Sequence, residues 1–333
     1  MKEWLTLDDK TRRDIYERVG SAKEWKPFTV EKDWWVTLAL KACFEISCAP
    51  HLVFKGGTSL SKAWDLIERF SEDIDLAIDR DFLGFKGELS KTQIGKLRKK
   101  SCEYISNDFR KELQSKFDQW GASSQCKIIA QPVTDTDKDP QVIEIHYRSV
   151  FDTSDYVPRR VLIEISARSL MEPSSPREIV SIIGAAISDQ PFSDKPFNVL
   201  TVLPQKTFFE KIFLLHEEFS KVPEEIRVER LSRHLYDLEI LMDTEYGKEA
   251  LVDIELYKHI VAHREKYNHQ RGLNYANHAP DKISIIPPKE VIGAWEKDYK
   301  EMQENMIYGN SKNFDALIKR MNELQERVRG IKM

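Results

Sequence analysis

Asp73 and Asp75 stand two residues apart in the stretch RFSEDIDLAID, residues 69–79. Ile74, Leu76, Ala77 and Ile78 around them read as a buried strand. Residues i and i+2 of a strand share a face, so both carboxylates project the same way. Side by side they repel, and one tends to stay protonated. A divalent cation removes that conflict, and Mg²⁺ takes one or two carboxylates together with phosphate oxygens. A solvated edge strand would also accommodate the pair, so the neighbouring residues decide.

Those neighbours favour the ion. FKGGTSLSKAW places Gly56 and Gly57 between the short apolar strand HLVF and a helix beginning at Thr58 or Ser59. Glycine permits a tight turn and close backbone approach, and the free N–H groups of a helix start favour an anion. Gly-Gly before a helix is common and alone says little. Followed one helix later by Asp73 and Asp75, it forms a unit offering both a triphosphate cradle and a metal site. Ser71 and Lys55 flank this unit and could also reach a phosphate. A third carboxylate is expected from a neighbouring strand, either Glu144 in QVIEIHY or Glu164 in RVLIEIS. Glu164 is preferred, because an unpaired acid is costlier in the more continuously apolar strand. Its competing explanation is an ion pair with Arg159, Arg160 or Arg168.

These residues need a scaffold, and the hydrophobic pattern supplies one. TLDDKTRRDIYERVG, TVEKDWWVTLALKACFEIS and TSLSKAWDLIERF read as helices, the first two opening on a Thr cap, and residues 89–119 as charged helix. CKIIA, QVIEIHYRSV, RRVLIEISAR and FNVLTVLP read as strands. QPVTDTDKDP is a polar connection, MEPSSP a loop, and REIVSIIGAAI is ambiguous by periodicity. From about residue 205 the pattern turns helical, in TFFEKIFLLHEEF, RHLYDLEILMD, LVDIELYKHIVAHREKY and ALIKRMNELQERV. The expectation is an α+β domain over 1–204, followed by a helical domain over 205–333.

The 333 residues suffice for two domains, and the net charge of −4 gives no reason to expect nucleic acid, so any basic surface must be local. Four cysteines form no CxxC pair, as in a reduced cytoplasmic protein. The charged N-terminus lacks an apolar leader core, and no run would span a bilayer. A soluble cytoplasmic protein is expected.

At this point VFKGGTSLSKAWDLIERFSEDIDLAI resembles the signature of the AbiEii/AbiGii toxin nucleotidyltransferases, within the DNA polymerase beta-like nucleotidyltransferase superfamily. VLIEIS resembles that family's third-acid strand, VLPQKTFFEKI its lysine segment and RLSRHLYDLEIL its Arg-His-x-x-Asp-Leu helix. The resemblance covers roughly residues 30–245, and the helix between Gly57 and Asp73 reads as longer than in many related transferases. It implies a nucleotidyltransferase-type mixed sheet flanked by helices. It also implies transfer of a nucleoside monophosphate from an NTP to an acceptor, the 3′ end of tRNA in better-studied relatives. Mg²⁺ is the implied cofactor, two ions with Mn²⁺ as an alternative, and a toxin paired with a cognate antitoxin or a phage-defence system is the implied setting.

Residue by residue, Asp73, Asp75 and Glu164 would hold metal, and Gly56, Gly57, Thr58, Ser59 and Ser71 would contact the nucleotide. Lys211, by itself a solvated helix lysine, becomes through the resemblance a point charge on the β/γ oxygens. Thr207 and Glu210 read as a capping box, giving Glu210 a structural role. Arg230, Arg233 and Asp237 fall on one helical line. Asp237 would orient or deprotonate the acceptor hydroxyl, position Lys211, or merely pair with Arg233. His234 reads as a packing residue rather than a base. The Lys91, Lys96, Arg98, Lys99, Lys100 run reads first as a solvated face, and HREKYNHQRGLNYANH as an RNA grip or a polar loop. Two other readings keep the same residues: a nucleotide- or RNA-binding module without catalysis, and an enzyme that nucleotidylates protein.

Overall fold

The computed structural model describes residues 1–131, 139–151, 158–268 and 272–333. The polar connection expected within 131–140 lies mostly outside them, as do residues 269–271. The chain divides into two compact units, one of residues 1–63 and 70–202, the other of 64–69 and 203–333.

The first unit is built on a seven-stranded sheet. Its strands are β1 (Leu52–Lys55), β2 (Asp73–Ile78), β3 (Cys126–Ala130), β4 (Gln141–Tyr147), β5 (Arg160–Ser166), β6 (Ser174–Ile179) and β7 (Phe197–Val202), in spatial order β3-β4-β5-β2-β1-β7-β6. The sheet is mixed: β2 runs parallel to β5 and β1 parallel to β7, and the other neighbours are antiparallel. Its helices are α1 (Lys2–Leu5), α2 (Asp9–Ala22), α3 (Pro27–Cys43), α4 (Gly56–Lys62), α5 (Lys91–Tyr104), α6 (Arg110–Trp120) and α7 (Ile182–Ala186). Helix α3 is buried along most of its length and packs against α2, α6, α7, β2 and β5. The ambiguous 177–187 stretch resolves into the end of β6 and the short α7, and β6 begins inside the expected MEPSSP loop.

Two helix starts and one helix end differ from expectation. Asp8, not Thr6, caps α2 by accepting from the Thr11 N–H at 2.9 Å. Helix α3 opens on Pro27, with Thr29 already inside it. Proline suits this position because its fixed φ is helical and its missing N–H is not needed there. The helix expected over 58–70 stops at Lys62. Asp65 takes a left-handed backbone (φ 51°), and the chain runs on without regular structure until Arg69 bridges Ile307. The Glu68 carbonyl accepts from the Tyr308 and Gly309 N–H groups at 3.1 and 3.3 Å, so 64–69 packs within the second unit.

The second unit is helical: α8 (Pro204–Phe219), α9 (Arg233–Leu241), α10 (Glu245–Val252), α11 (Ile254–Tyr267), α12 (Ile292–Asn305) and α13 (Phe314–Arg329). Helix α8 buries Phe208, Phe209, Ile212, Phe213 and Leu215 and packs on α9, α10 and α11. Helix α8 also opens on a proline, so Thr207 lies within it and the expected capping box is absent. Glu210 instead pairs with Lys206 at 3.4 Å, one turn back. The single helix expected from Leu251 is two, because Asp253 ends α10 and caps α11 through the Leu256 N–H. No helix among the described residues is long and apolar enough to cross a membrane.

Candidate active site

Strand β2 changes character along its length. Asp73 and Asp75 are half-buried, whereas Leu76, Ala77 and Ile78 are buried on both faces. In register, Asp75 lies opposite Lys55 of β1 on one side and Glu164 of β5 on the other. Paired residues of adjacent strands share a face, so Lys55, Asp75 and Glu164 form a row, with Asp73 beside it. This face is half-buried at each of the four positions, so its charged side chains are not sealed from solvent.

The two third-acid candidates lie on different strands, β4 and β5. Glu144 sits opposite Leu162, which in turn pairs with Asp73, so it shares the face but lies one strand further from the aspartates than Glu164. Its carboxylate accepts from Gln131 Nε2 at 2.7 Å, from His146 Nε2 at 2.5 Å and from Arg160 Nη1 at 3.1 Å. Those three partners, led by Gln131, outweigh burial and hold its carboxyl below the usual range. Of the arginines near these strands, Arg160 donates to Glu144, Arg159 to the Phe151 carbonyl at 2.7 Å and Arg168 to the Asp139 carbonyl at 2.9 Å, contacts that leave open what Glu164 itself engages.

Gly56 takes φ +79°, which L side chains rarely adopt, and a Cβ built there would overlap the Asp75 carboxylate. The turn is therefore shaped so that Asp75 lies over bare backbone. Thr58 and Ser59 are buried, and their hydroxyls are used internally. Thr58 Oγ1 donates to the Asp73 carbonyl and lies 2.8 Å from Ser71 Oγ; Ser59 Oγ donates to the Gly56 carbonyl at 2.8 Å. These three residues tie the turn to β2, and what the turn offers a ligand is the backbone N–H groups starting α4. Just before Asp73, buried Glu72 pairs with buried Lys32 of α3, whose Nζ also donates to the Pro158 carbonyl at 2.7 Å. Lys62, the last residue of α4, pairs with Asp33, whose other oxygen accepts from the Ile182 N–H at 2.8 Å. Both ends of the glycine–helix–aspartate unit are thus fastened to α3 by ions that the sequence reading left unassigned.

In the second unit, α8 and α9 bring Lys211, His234 and Asp237 together. Asp237 is wholly buried, and Lys211 Nζ lies 2.8 Å from its Oδ2. A further cation, not anticipated from the sequence, engages this carboxylate. Arg69, itself buried, forks onto it, Nε to Oδ1 at 2.6 Å and Nη2 to Oδ2 at 2.7 Å. Burial alone would raise the Asp237 carboxyl, but Arg69 and then Lys211 hold it well below the ordinary carboxylate range. Burial pushes the Lys211 ammonium down, with Asp237 opposing that and Arg69 adding to it. His234 Nδ1 lies 3.3 Å from Lys211 Nζ, and burial and then Lys211 keep its imidazole neutral. Arg230 precedes α9 and has φ +60°, so it does not share the helical line with Arg233 and Asp237.

The expected RNA-contacting stretches diverge. Lys91, Lys96, Lys99 and Lys100 are exposed on α5, and Lys100 pairs with Glu103. Of residues 263–278, Arg264 forks onto buried Glu217, and His278 is buried with Tyr275 stacked on it at 4.9 Å. Those three side chains pack within the second unit, and residues 269–271 of the stretch lie outside the described residues.

The donor set suits a hard cation, since Asp73, Asp75 and Glu164 offer only carboxylate oxygens. Among the described residues no three His, Cys, Asp or Glu side chains form a ready metal cage. A Mg²⁺ completed by substrate phosphates and water needs no such cage.

Comparison with known proteins bears on the family and the fold. A family model described as nucleotidyl transferase AbiEii toxin, type IV TA system, matches residues 39–320. Among solved structures the chain is similar to MenT4, a nucleotidyltransferase toxin from Mycobacterium tuberculosis H37Rv. The two share 16% identity over 95% of this chain and 90% of that one, with a TM-score of 0.50. At that identity the likeness concerns the fold. No curated protein matches.

Proposed function

Because the chain belongs to the AbiEii family of nucleotidyltransferase toxins of type IV toxin–antitoxin systems, we propose that it transfers a nucleoside monophosphate from an NTP to the 3′ end of tRNA. The observation that carries this reading is the row of Asp75 and Glu164, with Asp73 beside it, on one half-buried face next to the Gly56 turn.

Asp73 and Asp75, with Glu164, would hold Mg²⁺, as two ions with Mn²⁺ as an alternative. When bound, the metal would polarise the α-phosphate and balance charge on the attacking and leaving oxygens. The backbone N–H groups that open α4 at Gly56 and Gly57 would receive phosphate oxygens, with Thr58, Ser59 and Ser71 holding the turn in shape. An acceptor hydroxyl oxygen gives up its proton to solvent and forms the new bond to the α-phosphorus, the bond to the β-bridging oxygen breaks, and pyrophosphate leaves. Lys211 would place its ammonium against the β/γ oxygens, a role suggested by the ordered family motifs. Of the roles open to Asp237, its burial and its two cations favour holding Lys211, because a carboxylate so strongly acidified is a poor base. The setting is bacterial growth arrest or phage defence, with an antitoxin as cognate partner.

The test is incubation with each α-labelled NTP, Mg²⁺ and either total tRNA or a protein lysate. Label in tRNA that disappears in Asp73→Ala and Asp75→Ala supports the proposal. Tight NTP binding without transfer to any acceptor would sink it in favour of a binding module, and label in polypeptide would select protein as the acceptor.

A further inference from the structure

Resting on the phosphate role of Lys211, we propose that Arg69 is a positioning residue for the transfer reaction, acting through Asp237 to aim the Lys211 ammonium. The motifs that pointed to Lys211 and Asp237 assign Arg69 nothing, yet it makes the most directional contact in the cluster.

The argument is one of valence and geometry. A planar guanidinium fork fixes a carboxylate in position and in plane, which a single ammonium does not. Arg69 delivers that fork to Asp237 at 2.6 and 2.7 Å. Asp237 Oδ2 then serves both Arg69 and Lys211, so the carboxylate plane sets where Lys211 Nζ lies. His234 Nδ1 takes a second N–H of the ammonium. Two of its three N–H groups are thereby engaged, and the third is directed by the other two. Arg69 is itself held by its backbone, because 68–69 is bonded to 307–309. Around Lys211 the charged and titratable groups are Asp237, Arg233 and His234 of α9, and Arg69. Arg69 depresses the ammonium, so its removal takes away one of the cations opposing Asp237 and raises that group.

Two substitutions separate aim from charge. Arg69→Lys keeps the charge and removes the fork. It is expected to lower kcat/KM for NTP about 10- to 100-fold at a temperature where the variant stays folded, the usual cost of misplacing a contact by about 1 Å, with KM for tRNA unchanged. Arg69→Met removes the charge, and the alkaline fall in activity is expected to move to higher pH. Wild-type kcat/KM in Arg69→Lys, or an unshifted alkaline limb in folded Arg69→Met, overturns the proposal. If Arg69→Met does not fold, Arg69→Lys decides alone. Lys211→Ala marks which premise has failed. If Lys211→Ala is inactive and Arg69→Lys is normal, only the role of Arg69 falls; if Lys211→Ala transfers normally, the phosphate role of Lys211 falls as well.

Discussion

At the scale of single residues, the candidate site depends on one absent side chain. Gly56 has a backbone that costs an L residue about 1–2 kcal/mol, and Asp75 occupies the space its Cβ would need. Gly56→Ala should therefore do two separable things. It should destabilise the fold by roughly 1–3 kcal/mol, read from a denaturation curve, and displace Asp75. The displacement should cost on the order of 100-fold in NTP turnover under conditions where the protein stays folded. A variant that loses stability but keeps its turnover would show that Gly56 serves the turn and not the carboxylate. Asp73 and Asp75 were legible because two acids in an apolar strand pose an electrostatic problem that spacing alone exposes. Arg69 was not. It stands four residues before Asp73 as an ordinary charged residue, and nothing local says that its guanidinium will be buried against a carboxylate 168 positions away.

At the scale of elements, strands were read more reliably than helix starts. DIDLAI and CKIIA fall on β2 and β3, because alternation and β-branched content bear directly on a half-buried sheet. Helices α3 and α8 each begin on a proline upstream of the threonine taken as a cap. Both threonines satisfied a local rule, and both were overruled by a better first-turn residue just before them. Thr207 makes the point testable. As an N-cap, its replacement would cost about 1 kcal/mol. Its hydroxyl is instead buried inside α8 with no partner among the described residues. Thr207→Val removes that unsatisfied group at nearly constant shape, so stability should hold or rise by about 1 kcal/mol. A urea midpoint measured at unchanged slope decides between the two, and a loss of a full kcal/mol would restore the cap. The helix expected over 58–70 failed for another reason. Its sequence is amphipathic throughout, but residues 64–69 gain more by packing with 307–309 than by continuing a helical ladder.

At the scale of the whole molecule, composition concealed where the charge lies. A charged chain with a net charge of only −4 suggests solvated faces, yet both units bury ionic clusters. The first holds Lys32–Glu72 and Lys62–Asp33, the second Arg69–Asp237–Lys211 and Arg264–Glu217–His278. Buried titratable groups couple folding to pH, and the histidines of the second unit give that coupling a direction. His216 is buried, accepts the Ser284 N–H at Nδ1 (3.2 Å), and faces His278 across 5.1 Å. Burial, and then His278, bring its imidazole down from 6.5 to about 4. The unfolded chain therefore takes up this proton from about pH 6.5 downward, while the folded protein refuses it until about pH 4. Below neutrality the unfolded state binds more protons, so stability is complete above about pH 6.5 and drains away as pH falls toward 4. For His216 alone the loss between pH 7.5 and pH 5 should be roughly 2 kcal/mol. His234, neutral beside Lys211, adds a loss of the same sign. His216→Gln keeps an acceptor for Ser284 and removes the titration. Urea denaturation at pH 7.5 and pH 5 should then show wild type losing about 2 kcal/mol more than the variant. Equal losses in the two proteins would mean that the acid sensitivity of the second unit comes from His234 and the buried carboxylates instead.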